Sequence, residues 1–351
     1  MKLVFSFLLI ACFYFGQSQD TVKVGANLST DQLAEEDYNM GLLALKDKNY
    51  QQAAELFSKS LSAKPGFDKA HANRSVAYTH LGKYNEALWD VNLAIIANPQ
   101  NPENYFNKSL IYMGMQLPDS QSIALDACLN LNHDHAEAAY YKGLLSYKSG
   151  DYEKSISYYS MAISSNRNYV FAYNDRGSAK RALGDLPGAI EDYTRATLID
   201  SSYAFIYNNL GTAARLNKSF PKAIAAFTKA LALDHTYLLA LNNRGVANFD
   251  HTDFKSAQSD FELALTLDSK NSFAYNNLCS IALKTKDFKK AKDLASRSIE
   301  LDPNNGPAYY NRGIAKQMLR EEESCCADWK KALELGVKGA KTFINASCKE
   351  H

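Results

Sequence analysis

Small residues recur along the chain every 34 residues, with bulky apolar residues between them in the same register. The first of these small positions is occupied by Gly41 in the first unit and by Gly313 in the last, and it is Gly, Ser or Cys in every unit. Two further positions, 12 and 19 residues after the first, are also small in most units. Between these two positions most units have a bulky residue such as Phe57 or Tyr193. Nine units run from about residue 34 to residue 339 without insertion or deletion. A fixed period of this length predicts a repeat architecture.

Each unit contains two amphipathic stretches of about a dozen residues, separated by a turn such as Gly150-Asp151-Tyr152. The prolines agree with two helices per unit, because some fall in the first turn of a second helix and others follow its end: Pro187 and Pro221, and Pro65, Pro99 and Pro303, respectively. No stretch alternates apolar and polar residues convincingly. The pattern therefore predicts an all-α chain of helix-turn-helix units without a sheet.

The register resembles that of the tetratricopeptide repeat (TPR) family, whose 34-residue unit has small residues at its eighth, twentieth and twenty-seventh positions. The unit that fits best reads FAYNDRGSAKRALGDLPGAIEDYTRATLIDSSY. The resemblance implies an α-solenoid, a right-handed superhelix of nine helix-turn-helix repeats whose first helices line a concave face. The chain has 22 Tyr and 17 Phe but only 2 Trp, and the resemblance implies that these Tyr and Phe rings fill the core between helices.

The N-terminal segment has the pattern of an export signal. Lys2 precedes an apolar run from Leu3 to Phe15, and Gly16 and Ser18 offer a cleavage site, so residues 1–18 are predicted to be a signal peptide. A bacterial lipobox ending at Cys12 is the less favoured alternative and would give a lipid anchor. Residues 19–33 form a polar linker in which Ser29 and Gln32 could form a capping box that opens the first helix. No later apolar stretch is long enough to cross a membrane.

The C-terminal end is predicted to close the array with one further helix. The predicted helix runs from Val337 to Lys349 and has Val337, Ala340, Ile344 and Ser347 on one face. The part of this helix that follows the ninth repeat, together with the tail, occupies residues 340–351. If this helix folds back on the preceding one near Val337, Cys326 and Cys348 meet. An exported protein enters an oxidising compartment, so a Cys326–Cys348 disulfide is expected, with Cys325 as the alternative partner. The segment also resembles the terminal cap of exported bacterial TPR proteins.

Composition and motifs exclude several classes of function. With 39 Lys and Arg against 38 Asp and Glu, the net charge of +1 argues against a dedicated nucleic-acid-binding protein. Phosphate-binding, zinc-protease, hydrolase and dinucleotide signatures do not occur in the sequence. His133 and His135 lie close together but make a poor metal site. We therefore expect neither an enzyme nor a cofactor.

One polar position recurs and is the leading candidate for partner binding. The sixth position of the unit is Asn in seven of nine repeats, although Asn is a poor residue for a helix interior. In the TPR family this position faces the concave groove, where an amide can donate to and accept from a peptide backbone. Asn is also common there in the family generally, so a purely structural role stays open. The row comprises Asn39, Asn73, Asn107, Asn209, Asn243, Asn277 and Asn311.

Apolar and basic residues flank this row in the later repeats. Phe171, Phe205, Leu239 and Phe273 lie one turn before it on the same face, where they are either an exposed interaction strip or packing between repeats. Arg181 and Arg215 follow it and add mild positive charge. The Lys and Asn positions of the carboxylate clamp that binds chaperone tails do not match this sequence.

These features predict a non-catalytic protein-interaction scaffold that binds a partner peptide or helix in the concave groove. The alternative is a structural subunit of an envelope complex that uses the array ends or the convex face. The export signal places the protein in the periplasm or cell envelope of a Gram-negative-type bacterium. The partner and the oligomeric state do not follow from the sequence.

Overall fold

The computed structural model describes residues 29–348, and within this range every regular element is an α-helix. The predicted signal peptide, the alternative lipid site at Cys12 and linker residues 19–28 lie outside the described residues. None of the described helices is long and apolar enough to span a membrane. The all-α helix-turn-helix prediction is confirmed for this part of the chain.

The described helices form nine pairs followed by a short terminal helix. The first helices of the pairs are α1 (Thr30–Lys46), α3 (Asp68–His80), α5 (Pro102–Gly114), α7 (Ala136–Lys148), α9 (Val170–Ala182), α11 (Ala204–Leu216), α13 (Leu238–Asp250), α15 (Ser272–Lys284) and α17 (Gly306–Met318). The second helices are α2 (Tyr50–Ala63), α4 (Tyr84–Ala97), α6 (Pro118–Leu131), α8 (Tyr152–Ser165), α10 (Leu186–Ile199), α12 (Phe220–Leu233), α14 (Phe254–Leu267), α16 (Phe288–Leu301) and α18 (Glu322–Glu334). The terminal helix α19 is Ala340–Ser347.

The described helices fall into two compact units, α1 to α7 before residue 150 and α8 to α19 after it, which we call unit 1 and unit 2. Within unit 1 each of the helices α1 to α6 packs on the next helix along the chain, and within unit 2 each of the helices α8 to α18 does the same. Nearest-neighbour packing of this kind is typical of a repeat protein, in which each pair buries its apolar face only against its neighbours.

The core of unit 2 shows why the small positions recur. In the pair α11 and α12 the Phe227 ring is fully buried against Gly211, and a Cβ atom added at Gly211 would lie 2.7 Å from that ring. Ala223, Ala230 and Ala240 complete the buried cluster around the ring. A small residue on the first helix therefore makes room for the aromatic side chain of the second, as the sequence pattern predicts.

In unit 1 the corresponding cluster is built on Phe57 and Tyr38, whose ring centroids lie 5.8 Å apart. The ring centroid of Tyr38 also lies 4.8 Å from that of Phe67, so aromatic rings join the first helix pair to the loop that leads to α3. Burial, with the charges of Glu35 and Asp68 nearby, raises the pKa of Tyr38 to about 12. The Tyr and Phe excess is used as core packing here.

At the N-terminal end the predicted capping box is confirmed, whereas the terminal helix starts later than predicted. The capping box is present, since Gln32 N donates to Ser29 Oγ and Ser29 N donates to Gln32 Oε1. The helix accordingly begins at Thr30, so the last residues of the predicted linker are helical. At the other end α19 begins at Ala340 rather than Val337. Gly336 adopts a left-handed φ of 89°, and the next residues form a turn before the helix starts.

Candidate partner-binding face

The first helices of unit 2, which are α9, α11, α13, α15 and α17, form one continuous face, because each contacts the next one in the series. We call this surface the first-helix face. The positions predicted to bind a partner in unit 2 lie on these five helices. Their side chains are only partly exposed, with the exception of Leu239 and Phe273.

Most of the asparagine row on this face is used inside the protein. Each of three side chains donates its Nδ2 to the side-chain oxygen of an asparagine in the preceding repeat, at 2.9 to 3.0 Å. These bonds connect successive repeats, so they offset the low helix propensity of Asn. The three donor and acceptor pairs are Asn209 and Asn174, Asn243 and Asn208, and Asn311 and Asn276.

The row is interrupted at Asn277. The equivalent acceptor in the preceding repeat, Asn242 Oδ1, is buried and has no hydrogen-bond partner among the described residues. The half-buried carboxamide of Asn277 makes no hydrogen bond within residues 29–348 either. A buried polar atom without a partner is unfavourable, and in a native structure it calls for an explanation. Within unit 2, Asn277 is therefore the member of the row whose amide is not engaged with the preceding repeat.

The apolar strip separates into two parts. Phe171 and Phe205 are half-buried and flank the ring of Tyr203, with centroid distances of 5.3 and 5.6 Å. Leu239 is 50% exposed and Phe273 is 65% exposed. The first two side chains thus pack between repeats, whereas the last two are available at the surface. These two belong to the same repeats as Asn242 and Asn277.

The basic residues of the predicted site also differ in their environment. Arg215 pairs with Asp250 of the next repeat, with Nη1 to Oδ2 at 2.9 Å. Arg181 is half-buried near the end of α9. The nearby hydroxyls of Ser178, Thr212 and Ser280 donate to carbonyl oxygens of their own helices. Hence the polar groups beside the strip are largely satisfied, which leaves Asn277 as the polar candidate.

In unit 1 the same row has a different environment. Asn39 is exposed in α1. Asn73 Nδ2 donates to Tyr38 Oη and to Lys69 O, each at 3.0 Å. Asn107 is half-buried. No exposed aromatic residue accompanies these amides at the position equivalent to Phe273, where unit 1 has Glu35, Lys69 and Glu103. The candidate site therefore belongs to unit 2.

A recurrent Arg–Asp fork was missed by the sequence interpretation. In four repeats an arginine of the first helix holds an aspartate 16 residues later on the second helix, and the aspartate side chains are 1 to 7% exposed. A Ser or Thr of the preceding second helix accepts a further bond from the same arginine. The constant spacing was a usable signal. The pairs are Arg74 and Asp90, Arg176 and Asp192, Arg244 and Asp260, and Arg312 and Asp328.

The fork of unit 1 has the clearest electrostatics. Arg74 Nε and Nη2 donate to the two oxygens of Asp90 at 2.7 and 2.8 Å, and His71 Nδ1 lies 2.8 Å from Oδ1. Burial alone would raise the pKa of Asp90, but the hydrogen bonds from Arg74 and His71 outweigh it and lower the pKa. Asp90 is thus held ionised in the interior, joining α2, α3 and α4 through Arg74 and Ser58.

The cysteines divide into core thiols and a disulfide. Burial raises the pKa of Cys128 and of Cys279 to about 12, so these thiols are unreactive packing residues. Cys326 and Cys348 form a disulfide with Cα atoms 5.7 Å apart, as predicted, while Cys325 is buried beside it. No cluster of His, Cys, Asp and Glu suited to a metal occurs among residues 29–348.

Comparisons with known families match three parts of the chain. Residues 177–214 match a family described as TPR repeat, and residues 38–102 and 274–305 match families described as tetratricopeptide repeat. A protein described as Protein SGT1 homolog, from Oryza sativa subsp. japonica, is 30% identical over 83 residues, covering 24% of this chain and 23% of that protein. Hsp70-Hsp90 organizing protein 3 from Arabidopsis thaliana is 30% identical over 84 residues, covering 24% of this chain and 15% of that protein. Each of these two matches spans less than a quarter of the relative's length.

Solved structures agree on the fold. A tetratricopeptide repeat protein from Parabacteroides merdae has a TM-score of 0.58 at 15% identity, covering 71% of this chain and 99% of that one. The C-terminal part of a TPR repeat-containing protein from Cytophaga hutchinsonii has a TM-score of 0.57 at 20% identity, covering 68% of this chain and 97% of that one. At these identities the likeness shows the fold alone.

Proposed function

Because the chain is a tetratricopeptide-repeat protein, we propose that it is a non-catalytic scaffold whose first-helix face in unit 2 binds a segment of a partner protein. TPR proteins act as protein-interaction scaffolds. In this protein the contact is made at one place on the molecule. That place is the surface of α13 and α15 around Leu239, Phe273 and Asn277.

The observation that carries the proposal is the interruption of the asparagine row beside the exposed apolar pair. The amide of Asn277 can donate to a backbone carbonyl and accept from a backbone N–H of an extended peptide. Phe273 and Leu239, exposed by 65% and 50%, offer apolar area for one side chain of the partner. Central, well-packed aromatic contacts contribute most of the binding energy at such interfaces.

Cellular location is part of the same proposal. The signal-like residues 1–18 support export to the periplasm or envelope of a Gram-negative-type bacterium. The Cys326–Cys348 disulfide is consistent with an oxidising compartment, where such bonds persist. A signal peptide cleaved after Ser18 would leave Gln19 as the mature N-terminus.

Affinity capture tests the binding site. The bait is the chain from Gln19, and the variant is Phe273→Ala/Asn277→Ala, which breaks none of the asparagine bonds between repeats described above. We expect the variant to retain a partner of the parent at least tenfold less well, since a contact of this kind contributes about 1.4 kcal/mol or more. Circular dichroism should show equal helicity for the two proteins.

The matched control is Leu198→Ala, because Leu198 is 73% exposed on the second helix α10 of the same unit. This variant should capture the partner as the parent does. Equal capture by the parent and by the Phe273→Ala/Asn277→Ala variant would contradict the proposed face.

A second candidate function is a structural subunit that assembles through its second helices. The observation in its favour is an exposed apolar group in unit 1, where Trp89, Ile96 and Ile123 are 69 to 76% exposed on α4 and α6. Trp89 and Ile123 occupy the same position of successive repeats. Loss of capture on Trp89→Ala/Ile123→Ala, with capture intact on the Phe273→Ala/Asn277→Ala variant, would favour this function.

A further inference from the structure

The charged residues of the first helices α11, α13, α15 and α17 are almost all paired within the protein. These four helices have six charged residues between them, and five of the six form ion pairs. Arg215 and Asp250 pair with each other. Arg244, Arg312 and Lys316 pair with aspartates of second helices, whose side chains are only 5 to 7% exposed. Little uncompensated charge of these helices therefore reaches the first-helix face.

The Arg–Asp forks show in which direction these charges lie. Arg244 donates to Asp260 on α14 and to Thr228 Oγ1 on α12, so its guanidinium group lies among the second helices. Arg312 reaches Asp328 on α18 in the same way. The cations of the forks are thus held on the side of the second helices, and a ligand on the first-helix face does not meet them.

Apolar groups occupy the first-helix face along α13 and α15. Leu239 and Phe273 are the exposed pair, at 50 and 65%. Val246 is partly buried on α13, at the position where the neighbouring repeats have the hydroxyl side chains of Thr212 and Ser280. Leu239 and Val246 lie seven residues apart and therefore on the same side of the helix. The surface around the exposed pair is consequently more apolar than the equivalent surface of the adjacent repeats.

Charges of both signs border this surface at the ends of the helices. Asp234 and Asp268 precede α13 and α15, and their Oδ1 atoms accept backbone N–H groups of their own turns at 2.9 to 3.0 Å. Lys270 is exposed beside Asp268, and Lys284 is exposed in the last turn of α15, where the helix dipole favours a cation. A border with both signs gives no preference for one sign of charge in a partner, so the apolar and amide groups decide what binds.

On the basis of the proposed function, we infer that the partner segment bound at α13 and α15 is extended, uncharged and apolar at its centre. One aliphatic side chain of the segment contacts Leu239 and Phe273, and a peptide group beside it bonds to the amide of Asn277. The segment is extended, because the backbone groups of a helix already bond to one another. A charged side chain in the same place loses water without gaining a counter-charge, which is unfavourable. The surface therefore rejects acidic and basic segments alike.

A phage-displayed library of random dodecapeptides tests this class of partner. The library is selected on the chain from Gln19 and counter-selected on the Phe273→Ala/Asn277→Ala variant, so that only peptides that need this surface remain. We expect these peptides to share a stretch that lacks Asp, Glu, Lys and Arg and has Val, Ile, Leu or Phe at its centre. In a synthetic copy, replacing the central residue with Glu or with Lys should raise the Kd at least about tenfold. The Kd should change less than about twofold between about 50 mM and about 500 mM NaCl, because no ion pair contributes to it.

Leu239→Lys should change the specificity rather than abolish binding. Leu239 is 50% exposed, so the fold accommodates a lysine there, and the variant should select peptides with an acidic residue at the centre. Leu198→Ala, on the second helix α10, is the matched control and should select the same peptides as the parent.

The outcomes separate the class of partner from the place where it binds. Peptides that need Phe273 and Asn277 but depend on an acidic or basic residue would overturn the uncharged partner and leave the proposed face intact. A Kd that rises tenfold or more at the higher salt concentration would have the same meaning. If no selected peptide distinguishes the parent from the Phe273→Ala/Asn277→Ala variant, the proposed face is wrong, and the class of partner inferred from it is wrong as well.

Discussion

Asp90→Asn is expected to lower the free energy of unfolding of unit 1 by about 3 kcal/mol. The side chain of Asp90 is 1% exposed and accepts both branches of the Arg74 fork. Removing one member of a buried ion pair typically costs 3 to 5 kcal/mol, because the other charge stays buried without its partner. We place the effect at the low end because Arg74, 18% exposed, reaches some solvent.

The same variant should change the response to acid. The pKa of Asp90 is lowered in the folded protein, so the stabilisation is fully present above the pKa of an unfolded Asp, near 3.8. It is lost as the pH falls below that value through the folded pKa. Between neutral pH and pH 3 the parent should therefore lose more stability than Asp90→Asn does.

Native-state hydrogen exchange over α3 and α4 measures both effects, since it reports the opening free energy of these helices separately from unit 2. Glu86→Gln is the control, because Glu86 is an exposed carboxylate on the same helix as Asp90. An equal loss in both variants, or a loss below about 1 kcal/mol for Asp90→Asn, would contradict a buried ionised aspartate.

Removal of the disulfide is expected to destabilise the C-terminal cap by about 3 kcal/mol. The Cys326–Cys348 bond closes a loop with a sequence separation of 22, and loop-closure entropy gives this magnitude. The cap covers the fully buried Trp329, whose ring centroid lies 5.0 Å from that of Phe343 in α19. Without the bond α19 should open more often and expose Trp329.

The double variant Cys326→Ser/Cys348→Ser tests this without leaving a partner for Cys325. In a Trp89→Phe background Trp329 is the single tryptophan, and its emission should shift to longer wavelength at lower denaturant than in the disulfide-bonded protein. Adding a reductant should make the emission of Trp329 in the disulfide-bonded protein shift at the same denaturant concentration as in the variant, and it should not change the unfolding of the variant. Identical unfolding of the two oxidised proteins would show that α19 is held by packing alone.

Periodicity made the helices predictable, because a helix pair that buries its apolar face against its neighbours must repeat its pattern. The paired Gly211 and Phe227, the prolines at α10 and α12 and the capping box at Ser29 follow from local rules. The start of α19 could not be predicted as well. A turn containing Gly336 displaces it, and the apolar pattern runs through that turn without a break.

The candidate site was predictable in position but not in detail. The sequence places Asn209, Asn243 and Asn277 in one row, yet the first two bond to the preceding repeat in the structure and the third does not. Likewise Phe205 and Phe273 share a sequence position, but Tyr203 shields the former. These distinctions depend on side-chain neighbours one repeat away, which a single position in the sequence does not reveal.

Site-specific photocrosslinking in the native cell tests the central claim most directly. A benzoylphenylalanine introduced at Phe273 on the first-helix face should form a crosslink to a partner protein upon irradiation. The same probe at Leu198, which is somewhat more exposed and lies on α10, should form none. Crosslinking at Leu198 with none at Phe273 would contradict recognition by the first-helix face and move the interface to the second helices.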